Sequence, residues 1–258
     1  MPMDLHGFDV HCLELLEKSP NRISRHCFRS AINHLQRAEK LFEIDNPMAI
    51  FRCYTAEEEA ASGLMHCLKE CGYSGSSELK AQYHLHKNAL IPFFSILCQF
   101  IEDSFRQYGI EIDLLIKESN DRKYVALEVA IASSIGPVKF SPDPPFNFSF
   151  LHEGKRFSYR QQIDKFVKSK DAREIKDCLR QEANKRNEVL YATPQGFPAS
   201  IEITPKFFPA YWRRVMAMLR AYLMIAPYKE SQPFVQDSLN AFLAMVISLK
   251  QEDLHEEV

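Results

Sequence analysis

The sequence predicts one mainly α-helical domain, residues 1–258, that carries a small β-hairpin insertion. Three observations predict this fold class. Apolar residues recur at spacings of three and four along most of the chain, which is typical of amphipathic helices. Only 8 of the 258 residues are glycine, whereas sandwiches and barrels need many turns. The hydrophobic fraction of 46% is sufficient for a substantial core.

Capping and breaking residues bound the predicted helices. The second helix follows Asp45, has Pro47 at its first position and ends before Gly72. The third opens at Ser76 and is expected to bend at Pro92. The predicted helices cover residues 21–43, 47–70, 76–108, 171–191, 205–226 and 233–254, and a short helix before Ser19 is also expected.

Residues 109–157 interrupt the helical pattern. Apolar residues alternate with mostly polar ones over residues 110–116, and residues 123–131 are rich in valine, isoleucine and tyrosine. Two such runs joined by a short polar turn indicate a β-hairpin. The rest of the segment is rich in proline and phenylalanine and has no regular period. We interpret residues 109–157 as an insertion in a helical body and not as a separate domain.

The charge balance argues against two classes of protein. The chain has 32 basic and 34 acidic residues and a formal net charge of −2, so a DNA-coating or membrane-surface protein is not expected. The N-terminal residues lack the basic lead and apolar block of a signal peptide, and the longest apolar stretch, residues 89–101, is too short to span a bilayer. We therefore expect a cytoplasmic protein without a membrane segment.

The cysteines indicate reduced thiols. Their number is seven, which is odd, and they lie within helical patterns. Cys67, Cys71 and His66 have the spacing of half a metal site, but no second pair with ligand spacing follows. We expect neither a metal site nor a cofactor.

Three of the predicted helices share an irregularity, because one ionisable side chain interrupts each inward apolar stripe. Glu58 interrupts the second helix, His86 the third and Arg186 the fourth. An unpaired charge in a helical core is strongly unfavourable, so each group must be paired or face a cleft. Because the charges are complementary, we predict a shared polar cluster, to which His84 or Lys87 can contribute in place of His86. The competing interpretation is that each group reaches water at the edge of its stripe.

The segments around these residues resemble a known family. They read TAEEEAASGLMHCL at residues 55–68, HLHKNAL at 84–90 and KRNEVLYATPQGFP at 185–198. Together they resemble the AbiV-like (abortive infection) branch of the HEPN superfamily, whose members are helical bundles found in prokaryotic toxins and phage-defence proteins. The resemblance covers residues 21–108 and 171–226 and implies a HEPN-like antiparallel helical bundle. One departure is Ala60, since family members often place a lysine just after the paired acids.

The resemblance implies an effector that acts on RNA or nucleotides, by metal-independent RNA cleavage or by inhibiting translation. Active members carry an Arg-x4–6-His motif, onto which Arg186, Asn187 and Tyr191 fall. Arginine can hold a phosphate with its fixed fork of donors. Histidine, with an ordinary pKa of about 6.5, can take the 2′-OH proton, whereas tyrosine, at about 10, stays mostly protonated. RNA cleavage would therefore need His84 or His86 as the base.

The roles implied by the resemblance follow. Arg186 would bind phosphate, Asn187 and Tyr191 would orient it, and Glu58 would hold Arg186 or a histidine, with Lys87 assisting at the RNA. Family members usually pair, so a homodimer is expected, and the apolar stripes of the last two helices suit either the core or a dimer interface. The alternative is a catalytically inactive HEPN-like module that binds a protein partner through the insertion, which the tyrosine in place of histidine favours.

The first predicted helix carries one basic and polar face. Arg22, His26, Arg29, Asn33 and Arg37 are separated by 4, 3, 4 and 4 residues, so they lie on one side. Such a face can follow an RNA backbone or meet an acidic partner. The competing interpretation is an ordinary solvated face.

Overall fold

The computed structural model describes residues 7–20, 22–119, 122–134, 136–149, 151–152, 155–156 and 203–256. Within them the chain is mostly helical, and a three-stranded antiparallel sheet accompanies the helices. The prediction of a mainly α-helical fold with a hairpin is therefore confirmed. The HEPN-like arrangement stays a prediction, and the predicted helix over residues 171–191 lies outside the described residues.

The helix and strand bounds mostly agree with the predicted ones. The helices are α1 (Gly7–Lys18), α2 (Ile23–Leu41), α3 (Asn46–Glu70), α4 (His84–Gln107), α5 (Phe207–Ile225) and α6 (Pro233–Glu256). The strands are β1 (Ile110–Ser119), β2 (Arg122–Ile131), β3 (Val138–Phe140), β4 (Leu151–His152) and β5 (Lys155–Arg156). The cap of α3 is as expected, since the Asp45 carboxylate accepts a 3.0 Å hydrogen bond from the Met48 N–H. Among the described residues, no helix combines the length and apolarity needed to cross a bilayer.

The predicted start of the third helix at residue 76 is wrong. Ser76–Glu78 form a single 3-10 turn after Gly75, whose φ of 78° is favourable for glycine. At Leu79 the backbone becomes extended, with ψ of 129°, and this side chain is buried. Burying Leu79 in the core outweighs the local helix signal, so α4 begins only at His84.

The core lies where α2, α3 and α5 pack together. At Gly63 of α3 an added Cβ would lie 2.9 Å from the ring of Phe28 on α2, so only glycine permits this approach. The apolar stripes of α5 and α6 point into the same core, so within one chain they are core and not a free interface. Their buried members are Tyr211, Val215, Met218, Leu219, Tyr222, Phe234, Leu239, Phe242 and Val246.

The insertion forms a hairpin that folds back on the helices. β1 pairs antiparallel with β2, with Ser119 opposite Arg122 at the turn, and β3 adds to the other edge of β2. Beyond β3, the rings of Phe146 and Phe148 lie 5.8 and 4.9 Å from the ring of Phe234. The phenylalanine-rich segment therefore packs at least partly against its own chain.

Buried Gln232 ties this segment to the helices. Its Oε1 accepts a 2.8 Å hydrogen bond from the Phe146 N–H, and its Nε2 donates to the Met224 carbonyl at 3.0 Å. Its own N–H donates to the Tyr73 hydroxyl at 3.1 Å. One buried residue thus joins the insertion, α5 and the loop after α3.

Candidate active site

Glu58, in the middle of α3, forms a polar cluster with the first turn of α4. Its Oε1 lies 2.9 Å from His84 Nδ1 and its Oε2 lies 3.0 Å from Lys87 Nζ. His84 and Lys87 are three residues apart, so a helix places them on one face. An acid and an imidazole from two helices therefore meet, as the interrupted stripes predict.

The burial of the three side chains is uneven. The side chain of Glu58 is 10% exposed and that of Lys87 is 12% exposed, whereas that of His84 is 54% exposed. The ammonium of Lys87 balances the buried charge of Glu58, which would otherwise be strongly unfavourable. The cluster is thus a buried ion pair that carries an imidazole at the surface.

The hydrogen bond to Glu58 determines the tautomer of His84. A carboxylate can only accept, so Nδ1 of the imidazole must carry the hydrogen. In the neutral imidazole Nε2 is then the basic nitrogen. A carboxylate that orients an imidazole in this way is the arrangement that a general base requires.

His86 does not join Glu58, although it interrupts the apolar stripe of α4. It is 3% exposed, and its Nδ1 accepts a 3.3 Å hydrogen bond from the backbone N–H of Lys80. Its ring lies 6.3 Å from that of Tyr83. These contacts stabilise the turn that precedes α4, so of the predicted alternatives His84 and Lys87 are the ones brought to Glu58.

Three predicted site residues lie outside the described residues. These are Arg186, Asn187 and Tyr191. The meeting of a guanidinium with Glu58 and His84 therefore stays a prediction.

The neighbouring acid, Glu57, points to a different helix. Its carboxylate contacts the guanidinium of Arg214 on α5, which lies 4.4 Å above the ring of Tyr211. Consecutive residues of a helix point in directions about 100° apart. Glu57 and Glu58 therefore connect α3 to two different helices, α5 and α4. The contact between Glu57 and Arg214 was not predicted from the sequence. Two features of the sequence could have indicated it. Glu57 is a second acid that needs its own cation, and Arg214 lies at the edge of the apolar stripe of α5.

The described cysteines are free thiols, and burial keeps two of them protonated. None of Cys12, Cys27, Cys53, Cys67, Cys71 and Cys98 forms a disulfide. Burial raises the pKa of Cys27 to about 11 and that of Cys12 to about 12. Little thiolate forms at neutral pH, so neither is a candidate nucleophile. Among the described residues, no three histidine, cysteine, aspartate or glutamate side chains cluster as metal ligands.

A cavity of about 910 Å³ lies apart from the polar cluster. Mostly apolar side chains of α3, α4, β1, α5 and α6 line it, and Glu58, His84 and Lys87 are not among the lining residues. The polar cluster is therefore a surface site and not part of this cavity.

The basic face predicted for α2 is exposed. All of its members, Arg22, His26, Arg29, Asn33 and Arg37, are open to solvent. One of them is engaged, because Arg29 Nε lies 3.2 Å from the Glu17 carboxylate. Ile23, in the first turn of α2, is 57% exposed, whereas the neighbouring Ser24 points inward and donates to the Glu70 carboxylate.

Two histidines make the fold sensitive to mild acid. Burial, then Arg52 and then Arg37 lower the pKa of His34, and burial and Lys69 lower that of His66. A lowered pKa means that the unfolded chain takes up the proton more readily, so stability is highest above about pH 6.5 and falls as the pH drops below it.

We expect the melting temperature of the protein to fall between about pH 7.5 and pH 5.5, and to fall less for His34→Gln. Thermal unfolding across this range measures the difference. His11→Gln, at an exposed position, is the control and should follow the wild type. Identical slopes for His34→Gln and the wild type would contradict the assignment.

No family model, curated protein or solved structure matches the chain. The likeness to the HEPN superfamily therefore depends on the three sequence segments alone. The function must be argued from the geometry of the side chains.

Proposed function

We propose that this protein is a HEPN-like effector, of the phage-defence or toxin type, that cleaves RNA without a metal ion and uses His84 as its general base. The observation that carries the proposal is the buried Glu58 carboxylate that orients the half-exposed imidazole of His84 at 2.9 Å. Inhibition of translation would follow from cleavage or sequestration of RNA.

The proposed reaction is an internal transfer within the RNA. Nε2 of His84 takes the proton of a 2′-hydroxyl, whose oxygen attacks the adjacent phosphorus. The bond from phosphorus to the 5′-oxygen breaks, the leaving oxygen takes up a proton from bulk water, and the imidazolium of His84 returns its proton to bulk water. The products are a 2′,3′-cyclic phosphate and a 5′-hydroxyl, so the atoms balance without added water. Glu58 stabilises the imidazolium that forms and keeps the ring oriented.

The developing negative charge on the phosphate needs a cation. The resemblance assigns this role to Arg186, with Asn187 and Tyr191 orienting the phosphate. Lys87 is the cation of the described cluster, but its ammonium is paired with Glu58 and its side chain is 12% exposed. We therefore assign Lys87 mainly to the support of Glu58, with any contact to RNA secondary.

The exposed basic face of α2 supports the choice of RNA as substrate. Arg22, His26 and Arg37 are open to solvent and stand in line along the helix. Sequence-independent contact with phosphates needs such a row of cations.

The proposal is tested by cleavage of end-labelled RNA with a chelator present. We expect His84→Ala to lower the cleavage rate by about 100-fold or more, since a positioned general base contributes about that much. His11→Ala is the matched control, because His11 also pairs with a glutamate, Glu14 at 3.2 Å, on the surface of another helix. Arg186→Ala should also abolish cleavage, and Tyr191→Phe tests whether the phenol contributes.

Two results would overturn the proposal. One is wild-type cleavage that His84→Ala leaves unchanged. The other is a wild-type protein that neither cleaves total RNA nor retains it at low salt.

The alternative is a catalytically inactive HEPN-like module that binds a protein partner. The observation that favours it is a set of exposed apolar side chains on the insertion: Val138 is 52% exposed, Phe140 47% and Ile131 38%. The packing of Phe146 and Phe148 against Phe234 argues against it, since it occupies much of the phenylalanine-rich segment internally. Capture of a protein partner that is lost in Phe140→Ser, without RNA cleavage, would favour the alternative.

A further inference from the structure

The basic face of α2 continues onto α3 through His34. Its Nδ1 lies 3.3 Å from Nη1 of Arg52, which is on α3. Arg37 is on the same helix as His34, three residues further along, so both face the same side. Arg52 and Arg37 are also the charged groups that lower the pKa of His34, after burial. Three cationic or potentially cationic side chains therefore meet at the seam between two helices.

The described part of the chain supplies no acid to balance this cluster. Among the described residues, no carboxylate lies within ion-pair distance of Arg37 or Arg52. Several other arginines of the described chain do have such a partner, namely Arg25, Arg29, Arg106, Arg214 and Arg220. Like charges brought together without a counter-charge repel, so the cluster is destabilising unless an anion occupies it.

Apart from Nδ1 of His34, the hydrogen-bonding groups of the cluster are donors. The guanidinium of Arg52 has no acceptor atoms, so His34 Nδ1 must accept its hydrogen bond, and the neutral imidazole then carries its hydrogen on Nε2. Nε of Arg52 is buried and has no hydrogen-bond partner. Solvent does not reach this atom, so an incoming acceptor meets the terminal guanidinium N–H groups of Arg52 and Arg37 instead. The arrangement matches the oxygens of a phosphate, which only accept.

We propose that Arg37, His34 and Arg52 bind a phosphate of a single-stranded RNA backbone. The site deepens the proposed function by naming where the substrate is held away from the cleaved bond. A polyanion fits better than a small anion, because the exposed row from Arg22 to Arg37 extends about 22 Å along α2. Along α3, Arg52 lies about 9 Å from Glu58, on a different side of the helix. The site therefore adds affinity and does not take part in the bond cleavage.

The probe is a fluorescent 2′-O-methyl RNA of roughly 12 nucleotides. It lacks the 2′-hydroxyl that the proposed reaction needs, so binding is measured without cleavage. Anisotropy titrations are made at several salt concentrations. We expect Arg52→Gln and Arg37→Gln each to weaken binding about 5- to 20-fold at low salt and to lower the salt slope by about 1.

Arg106→Gln is the matched control. Arg106 is exposed on α4 and pairs with Glu102 at 2.5 Å, so its charge is already balanced. Its removal should change RNA affinity less than about 2-fold. Arg37 is fully on the surface, so Arg37→Gln keeps the test valid if Arg52→Gln lowers the melting temperature.

The outcomes separate this site from the catalytic proposal. Binding that His84→Ala preserves and Arg37→Gln weakens supports the site, even if no RNA is cleaved. Unchanged affinity and salt slope for both Arg37→Gln and Arg52→Gln overturn it, even if cleavage depends on His84. A poly-glutamate peptide that displaces the RNA at equal charge concentration would also overturn it, by indicating an acidic protein partner.

Discussion

Phe28→Ala is expected to lower the free energy of unfolding by about 3–5 kcal/mol, the usual cost of removing a buried phenylalanine. Phe28 is fully buried, and its ring lies 4.9 Å from that of Tyr222 on α5 and against Gly63 on α3. One ring therefore holds α2, α3 and α5 together. Urea unfolding followed by circular dichroism measures the change, and Ile23→Ala, at an exposed position of α2, should change stability by less than about 0.5 kcal/mol.

Gly63, which packs against the Phe28 ring, allows a second test of the same contact. Gly63→Ala should destabilise the protein by about 1–3 kcal/mol, because the methyl group would lie 2.9 Å from the Phe28 ring. This is opposite to the helix propensity, by which alanine is better than glycine by about 1 kcal/mol. In the double variant the methyl enters space vacated by the ring, so the two costs should not add. A stabilising Gly63→Ala would show that α2 and α3 are not in close contact.

Lys87→Met is expected to lower the free energy of unfolding by about 3 kcal/mol, because it leaves the Glu58 carboxylate buried without its ammonium. The side chains of both residues are almost fully buried, and their charged atoms lie 3.0 Å apart. Removing one partner of a buried ion pair lowers stability more than replacing both partners by apolar side chains, because the remaining charge is left uncompensated. Lys40→Met, at an exposed position of α2, is the control and should have little effect.

The double variant identifies the cause. Glu58→Leu with Lys87→Met replaces the pair by apolar groups of similar size, so it should be more stable than the sum of the single variants implies. Additive costs would mean that the two side chains do not interact. Since the double variant also removes the carboxylate that orients His84, it should fold and yet fail to cleave RNA, which separates the stability of the site from its chemistry.

Local signals were sufficient for most of the helices and the hairpin. The Asp45 cap, the proline in the first turn of α3 and the breaker at Gly72 act within a few residues of the chain, so α3 is predicted almost to its ends. The alternation over β1 and β2 likewise depends only on neighbours. The start of α4 could not be read in this way, because the burial of Leu79 depends on distant helices.

The sequence by itself determined that α3 and the start of α4 carry an acid and nearby histidines that interrupt apolar stripes. Only the tertiary structure decided that His84, and not His86, meets Glu58, because the direction of each side chain depends on where α4 begins and how it lies against α3. The same holds for Glu57 and Arg214, which are separated by 157 residues. Helix packing brings together residues that are so far apart along the chain, and no local sequence pattern predicts which residues will meet.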